Sequence, residues 1–227
     1  MSTLYSVGAV NQLADALEKA GFSSKDVTNL TQLKNLYQLK DVLDGEAQII
    51  YPEKKWREEN GVIYFKVVSD GTTGEQWIER LEKQGFQVDT QAKEHLLSKD
   101  FKVTTGIKYE IGILRGGLFS NAQLITKNIR LEAANRNWIE PNTESACLIR
   151  EFFTHKDLGT MRLFRIVIMH EPFKNSDGNL RLLGINVASD GNNPGVCYLA
   201  LHYGDNNNSW DNQYGFTFVV SQTELKS

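Results

Sequence analysis

Four short apolar runs, each followed or preceded by a turn rich in Asn, Asp and Gly, fill the last third of this chain. They are "LFRIVIMHE" (163–171), "RLLGINVA" (181–188), "VCYLALHY" (196–203) and "GFTFVVSQ" (215–222). Their β-branched and aromatic content predicts strands, and "KNSDGN", "SDGNNPG" and "GDNNNSWDNQY" between them are made of residues that turns favour. Upstream, "IKYEIGIL" (107–114) alternates in the same way. Two segments with helical spacing follow it. "SNAQLITKNIRLEAANR" (120–136) opens on the capping box Ser120-x-x-Gln123, and "NTESACLIREFF" (142–153) is capped by Asn142. The resulting order, β-α-α-β-β-β-β, predicts an α+β domain over 107–227 that ends in an antiparallel meander.

The preceding residues divide into three parts. Over 1–45, Val10, Leu13 and Leu17, then Leu30, Leu33, Leu36, Leu39 and Val42, recur at spacings of three and four. That is the period of helices with one apolar face, and Gly21 and Gly45 stand where helix C-terminal caps fall. Residues 46–61 carry a Pro and a charge run and read as a linker. Residues 62–106 read as a β-α-α connector: "VIYFKVV" (62–68), a helix opened by the capping box Thr73-x-x-Gln76, and a short helix around "QAKEHLLS" (91–98). The hexapeptides "LEKAGF" (17–22) and "LEKQGF" (81–86) share the chemistry of a helix closing on Gly, while their flanks do not correspond.

Composition excludes several classes. A net charge of −3 argues against a nucleic-acid or anionic-membrane binder. No stretch approaches the roughly 20 apolar residues of a membrane helix, and the first residues lack a signal peptide's basic and apolar regions, so a cytoplasmic protein is expected. Two cysteines, Cys147 and Cys197, make no disulfide framework.

Metal and catalytic patterns fail on spacing. "HEPFK" (170–174) begins like a zinc-peptidase motif but has Lys174 where the second His must stand. Counting an EF-hand from Asp205 puts Trp210, not Gly, at the sixth position. No metal or cofactor is therefore expected. A cleft using His170, Glu171 and Cys197 is the enzymatic alternative, and a subunit docking through its helical N-terminus is a structural one.

Of the 18 Asn, nine lie in 175–214, which concentrates amide chemistry beside the aromatics of the last turn. Alternation in "YLALHY" assigns Leu199, Leu201 and Tyr203 to a core and sends Tyr198, Ala200 and His202 to the other face. Continued through the turn, that face comprises Tyr198, Ala200, His202, Asn206, Asn207, Asn208, Trp210, Asp211, Asn212 and Tyr214. Rigid aromatics among small amides are the composition of adaptable binding surfaces. The expected function is non-enzymatic binding of an unknown protein or small ligand.

Residues 62–222 resemble a family of uncharacterised bacterial proteins, through "VSDGTTGEQWIERLEKQGF", "LITKNIRLEA", "PNTESACLIRE", "MHEPFKNSDGNLRLLG" and "GFTFVVSQ". Tyr198 and Ser209 depart from the Trp and Arg of that family's pattern. The Asn-rich segment closed by a G-F-x-F-V strand also resembles the variable region of diversity-generating retroelement target proteins. That resemblance implies a C-type lectin fold over 107–222, in which first and last strands pair, and a diversified ligand-binding face at 198–214.

Overall fold

The computed structural model describes residues 5–32, 36–48, 54–187 and 197–225. The chain divides into two compact units, Met1–Glu53 and Lys54–Ser227. The first holds the helices α1 (Val7–Lys19), α2 (Ser24–Thr31) and α3 (Gln38–Leu43). Ser6 caps α1 and a Ser23/Asp26 capping box opens α2, so local signals set these helix starts. None of the three helices contains a buried residue.

The second unit is an α+β body. Its strands are β1 (Arg57–Glu59), β2 (Val62–Asp70), β3 (Gln87–Val88), β4 (Thr105–Arg115), β5 (Arg165–Ile168), β6 (Phe173–Lys174), β7 (Leu180–Val187), β8 (Cys197–Tyr203) and β9 (Tyr214–Glu224). They form one mixed sheet in the order β1-β2-β4-β9-β5-β7-β8-β3, with β6 on β7. Both β2 and β3 belong to it, so the stretch 62–106, read as a connector, shares a sheet with 107–225. The helices are α4 (Gly74–Lys83), α5 (Thr90–Leu96), α6 (Thr126–Asn135), α7 (Glu144–Phe152) and α8 (His155–Met161).

Alternation along the strands feeds two cores, one on each face. On the first, Ile63, Phe65, Ile111, Ile113, Ile166, Leu183, Ile185 and Leu199 meet Trp77 and Leu81 of α4, Ala92 and Leu96 of α5, and Cys147 and Ile149 of α7. On the second, Val62, Leu114, Val167, Leu182, Phe216 and Phe218 meet Leu124 and the α6 residues Ile129 and Ala133. Helix starts follow chemistry legible in the chain where a cap is local. Thr73 and Gln76 make both bonds of their capping box, and Asn142 Oδ1 accepts the Ser145 N–H at 3.0 Å. Helix α6 starts at Thr126 rather than at Ser120, because 121–123 turn and Ile125 bridges Ser209.

The expected meander does not close. Strands β5, β7 and β8 are antiparallel neighbours, but β9 inserts between β4 and β5, antiparallel to the first and parallel to the second. The reason is a register relation across the sheet. Strand β8 ends at Tyr203 opposite Arg181, whereas β9 begins at Tyr214 opposite Arg165, which itself pairs with Asn186. The connection must therefore return about 17 Å along the strands and pass about 14 Å across them. A hairpin turn cannot do that. Residues 204–213 make the crossing on the side of the second core, where Trp210 packs.

Candidate functional site

The Asn-rich connection is anchored on the start of α6. The first N–H groups of a helix lack partners inside it. Here the Asn208 carbonyl accepts the Thr126 N–H at 3.1 Å and the Asn206 carbonyl accepts the Lys127 N–H at 2.9 Å. Trp210 N–H donates to the Leu124 carbonyl at 3.0 Å, and the indole Nε1–H donates to Thr126 Oγ1 at 3.0 Å. The Trp210 ring lies 5.6 Å from Phe216, 6.0 Å from His202 and 6.3 Å from Tyr214. Trp210 is half-buried and serves the second core as a plug.

His202 departs from its expected place on an open face. It is only 7% exposed. Alternation places it opposite Leu199, on a face that would leave it exposed if that face met water. The crossover covers the His202 end of that face, with the Trp210 ring 6.0 Å away. The imidazole lies over Gly184, where an added Cβ would stand 2.4 Å from its Cδ2. Its Nε2–H donates to Asn186 Oδ1 at 3.0 Å. Burial, with a smaller contribution from the Arg165 charge, lowers its pKa to about 4, so the ring is neutral. Tyr203, expected in the first core, is 63% exposed at the strand end, where the Arg181 guanidinium lies 4.5 Å from its ring.

The other expected residues spread along the rim of the same face. Tyr198, Ala200, Asn208 and Tyr214 are half-buried, and Asn206, Asn207, Asp211 and Asn212 are exposed. The backbone of Asp211 and Asn212 packs over Gly116, whose added Cβ would meet the Asn212 Cα at 2.8 Å. Register adds two residues that the expected set lacked. Tyr214, Arg165, Asn186 and Tyr198 stand side by side on β9, β5, β7 and β8, all on the second-core face. Arg165 is exposed, with its guanidinium 5.2 Å from the Tyr214 ring. Alternation in "LFRIVIM" and "GINVA" carries the signal for both, but only the strand order puts them beside Tyr198.

His170, Glu171 and Cys197 of the enzymatic alternative lie on the β5–β6 turn and on β8. His170 Nε2 accepts the Leu183 N–H at 2.9 Å, which leaves the proton on Nδ1 to donate to the Glu171 carbonyl at 2.7 Å. Both ring nitrogens are occupied, and burial lowers the pKa to about 3. Cys197 pairs with Val187, four positions along β7 from Leu183, or about 13 Å away. Both hydrogen bonds of His170 are made within the fold, to the backbone of Glu171 and Leu183.

No group of three or more His, Cys, Asp or Glu side chains that could hold a metal ion occurs among the described residues. No helix among them is long and apolar enough to cross a membrane. Neither a family model, nor a curated protein, nor a solved structure matches this chain.

Proposed function

We propose that the chain is a non-enzymatic binding protein whose ligand meets the row Tyr214, Arg165, Asn186 and Tyr198, with Ala200 and the exposed Asn206, Asn207, Asp211 and Asn212 at its rim. The observation that carries this reading is the row itself. Side chains on four neighbouring strands share one face and combine an exposed guanidinium, an amide and two half-buried phenols. His202 holds the Asn186 amide, and Trp210 packs beside Tyr214. Aromatic area and adaptable hydrogen bonding are what a binding surface draws on most.

The C-type-lectin-like reading of 107–222 belongs to the same proposal. Its support is that β4 and β9, the first and last strands of that stretch, pair antiparallel, with α6 and α7 following β4. A diversified 198–214 segment then gives one face many ligands, on a scaffold whose buried positions stay constant. A diversified protein of this type is expected to have a reverse transcriptase gene nearby and an imperfect template repeat of the segment around 196–216. Sequencing the flanking DNA tests the diversified form, and absence of both elements defeats it. Binding itself is tested by surface plasmon resonance of the full chain against panels of peptides, glycans and nucleosides. A binder lost in Tyr198→Ala and Arg165→Ala supports the face; binding that both variants retain places the site elsewhere.

A further inference from the structure

A cleft of about 570 Å³ opens where the loop after α5, the segment before α7 and the turn from β5 to β6 meet. A second hollow of about 370 Å³ adjoins it and shares His95, Asp100, Phe173 and Lys174. Each volume falls within the usual range of small-molecule sites. The floor is aromatic and uncharged. His95 is 7% exposed and stacks on Phe173, with centroids 3.7 Å apart and planes 12° apart. Its Nε2 is buried without a hydrogen-bond partner, and burial holds the ring neutral, with a pKa near 4.

The rim of the larger cleft is charged in both signs, and exposed Glu94 lies on the adjoining hollow. Asp100 and Glu171 supply carboxylates, Lys102 and Lys174 supply ammonium groups, and all four are exposed. None of the four forms an ion pair among the described residues, whereas Glu140, also on the rim, is engaged by Arg130. This balance decides the ligand class. A polyanion meets the two carboxylates, a cation meets the two lysines, and an apolar molecule leaves every charge unanswered. A small molecule with one charge of each sign answers both pairs.

We propose that this cleft binds a free α-amino acid, its ammonium group toward Asp100 and Glu171 and its carboxylate toward Lys102 and Lys174, over the His95–Phe173 floor. The site is separate from the face around Tyr198 and does not depend on it. The exposed setting of all four charges makes each contact weak, so selectivity rests on the pairing of the two signs.

Isothermal titration calorimetry of the full chain with each free amino acid, at millimolar concentration and neutral pH, tests the proposal. Parallel arms use the N-acetyl and amide derivatives, which each lack one charge, and dipeptides, which separate the two. The expected result is binding of at least one free amino acid, with its derivatives and dipeptides at least about tenfold weaker. Glu171→Gln and Lys174→Gln, both exposed substitutions, should each weaken it by about two- to fivefold, while Tyr198→Ala leaves it unchanged. Three results would overturn the proposal: no free amino acid binds, the singly charged derivatives or dipeptides bind as well, or both cleft variants bind like the parent.

Discussion

Trp210 stands in a run of Asn and Asp yet fills the space between His202, Tyr214 and Phe216, with its indole N–H on the buried Thr126 hydroxyl. Trp210→Ala should therefore lower unfolding free energy by roughly 2–4 kcal/mol, less than a fully buried Trp because one side remains open. Urea denaturation measures it, and a loss below about 0.5 kcal/mol would return Trp210 to the surface. The buried histidines make a second prediction at this scale. Burial lowers the pKa of His95 and His202 from 6.5 to about 4, and of His170 to about 3. Above pH 6.5 the imidazoles are neutral in both folded and unfolded chains, and their contribution to stability is fully present. As pH falls below 6.5 the unfolded chain takes up protons that the folded one refuses. Stability then drops with falling pH, by at most about a kcal/mol per pH unit for each histidine, until the folded values are reached. Glu144, whose pKa burial raises, acts in the opposite direction in mildly acid solution. Urea midpoints at pH 7 and pH 5 should differ clearly, the lower at pH 5; equal midpoints would contradict the burial of these rings.

The crossover 204–213 and the close approach of α4 to α5 control how the elements meet. At Gly74, the first residue of α4, an added Cβ would stand 1.8 Å from the Leu96 carbonyl oxygen at the end of α5. That neighbour is backbone and cannot rotate away, so Gly74→Ala should separate the helices at a cost of roughly 1–3 kcal/mol or more. A melting temperature equal to the parent's would show that α5 yields freely. At this scale much was legible in the chain. Strands β2, β4, β5, β7, β8 and β9 follow from apolar alternation, and α4 and α5 from their spacing and polar caps. The capping box Thr154/Asp157 that opens α8 is equally local. What the chain did not reveal was non-local. Insertion of β9 beside β5 depends on where residues 204–213 dock, and their anchors are Leu124, Thr126 and Lys127 around the start of α6, far away in sequence. The inward turn of His202 follows from that docking, because alternation gives the face of a residue but not what covers the face. Strands β3 and β6 are two residues each and leave no periodic signal.

At the scale of the whole molecule, Met1–Glu53 and Lys54–Ser227 are separate compact units, and both cores belong to the second. A chain beginning at Lys54 should fold alone and keep the melting temperature of the parent's main transition; insolubility or a lower transition would show that the helical unit contributes to the core. Within that second unit, Trp210 and His202 form a supporting layer, and Arg165 of β5 with Tyr198 and Asn207 a presenting layer. A layer kept for binding contributes little to folding, since surface changes away from buried contacts usually alter stability by no more than about 0.5 kcal/mol. The most direct test is urea denaturation of the triple variant Arg165→Ala/Tyr198→Ala/Asn207→Ala beside Trp210→Ala. The account predicts a triple variant within about 1.5 kcal/mol of the parent, the sum of three surface changes, and a Trp210→Ala variant well below it. A triple variant that loses more stability than Trp210→Ala would contradict it, because the row would then be part of what holds the sheet together.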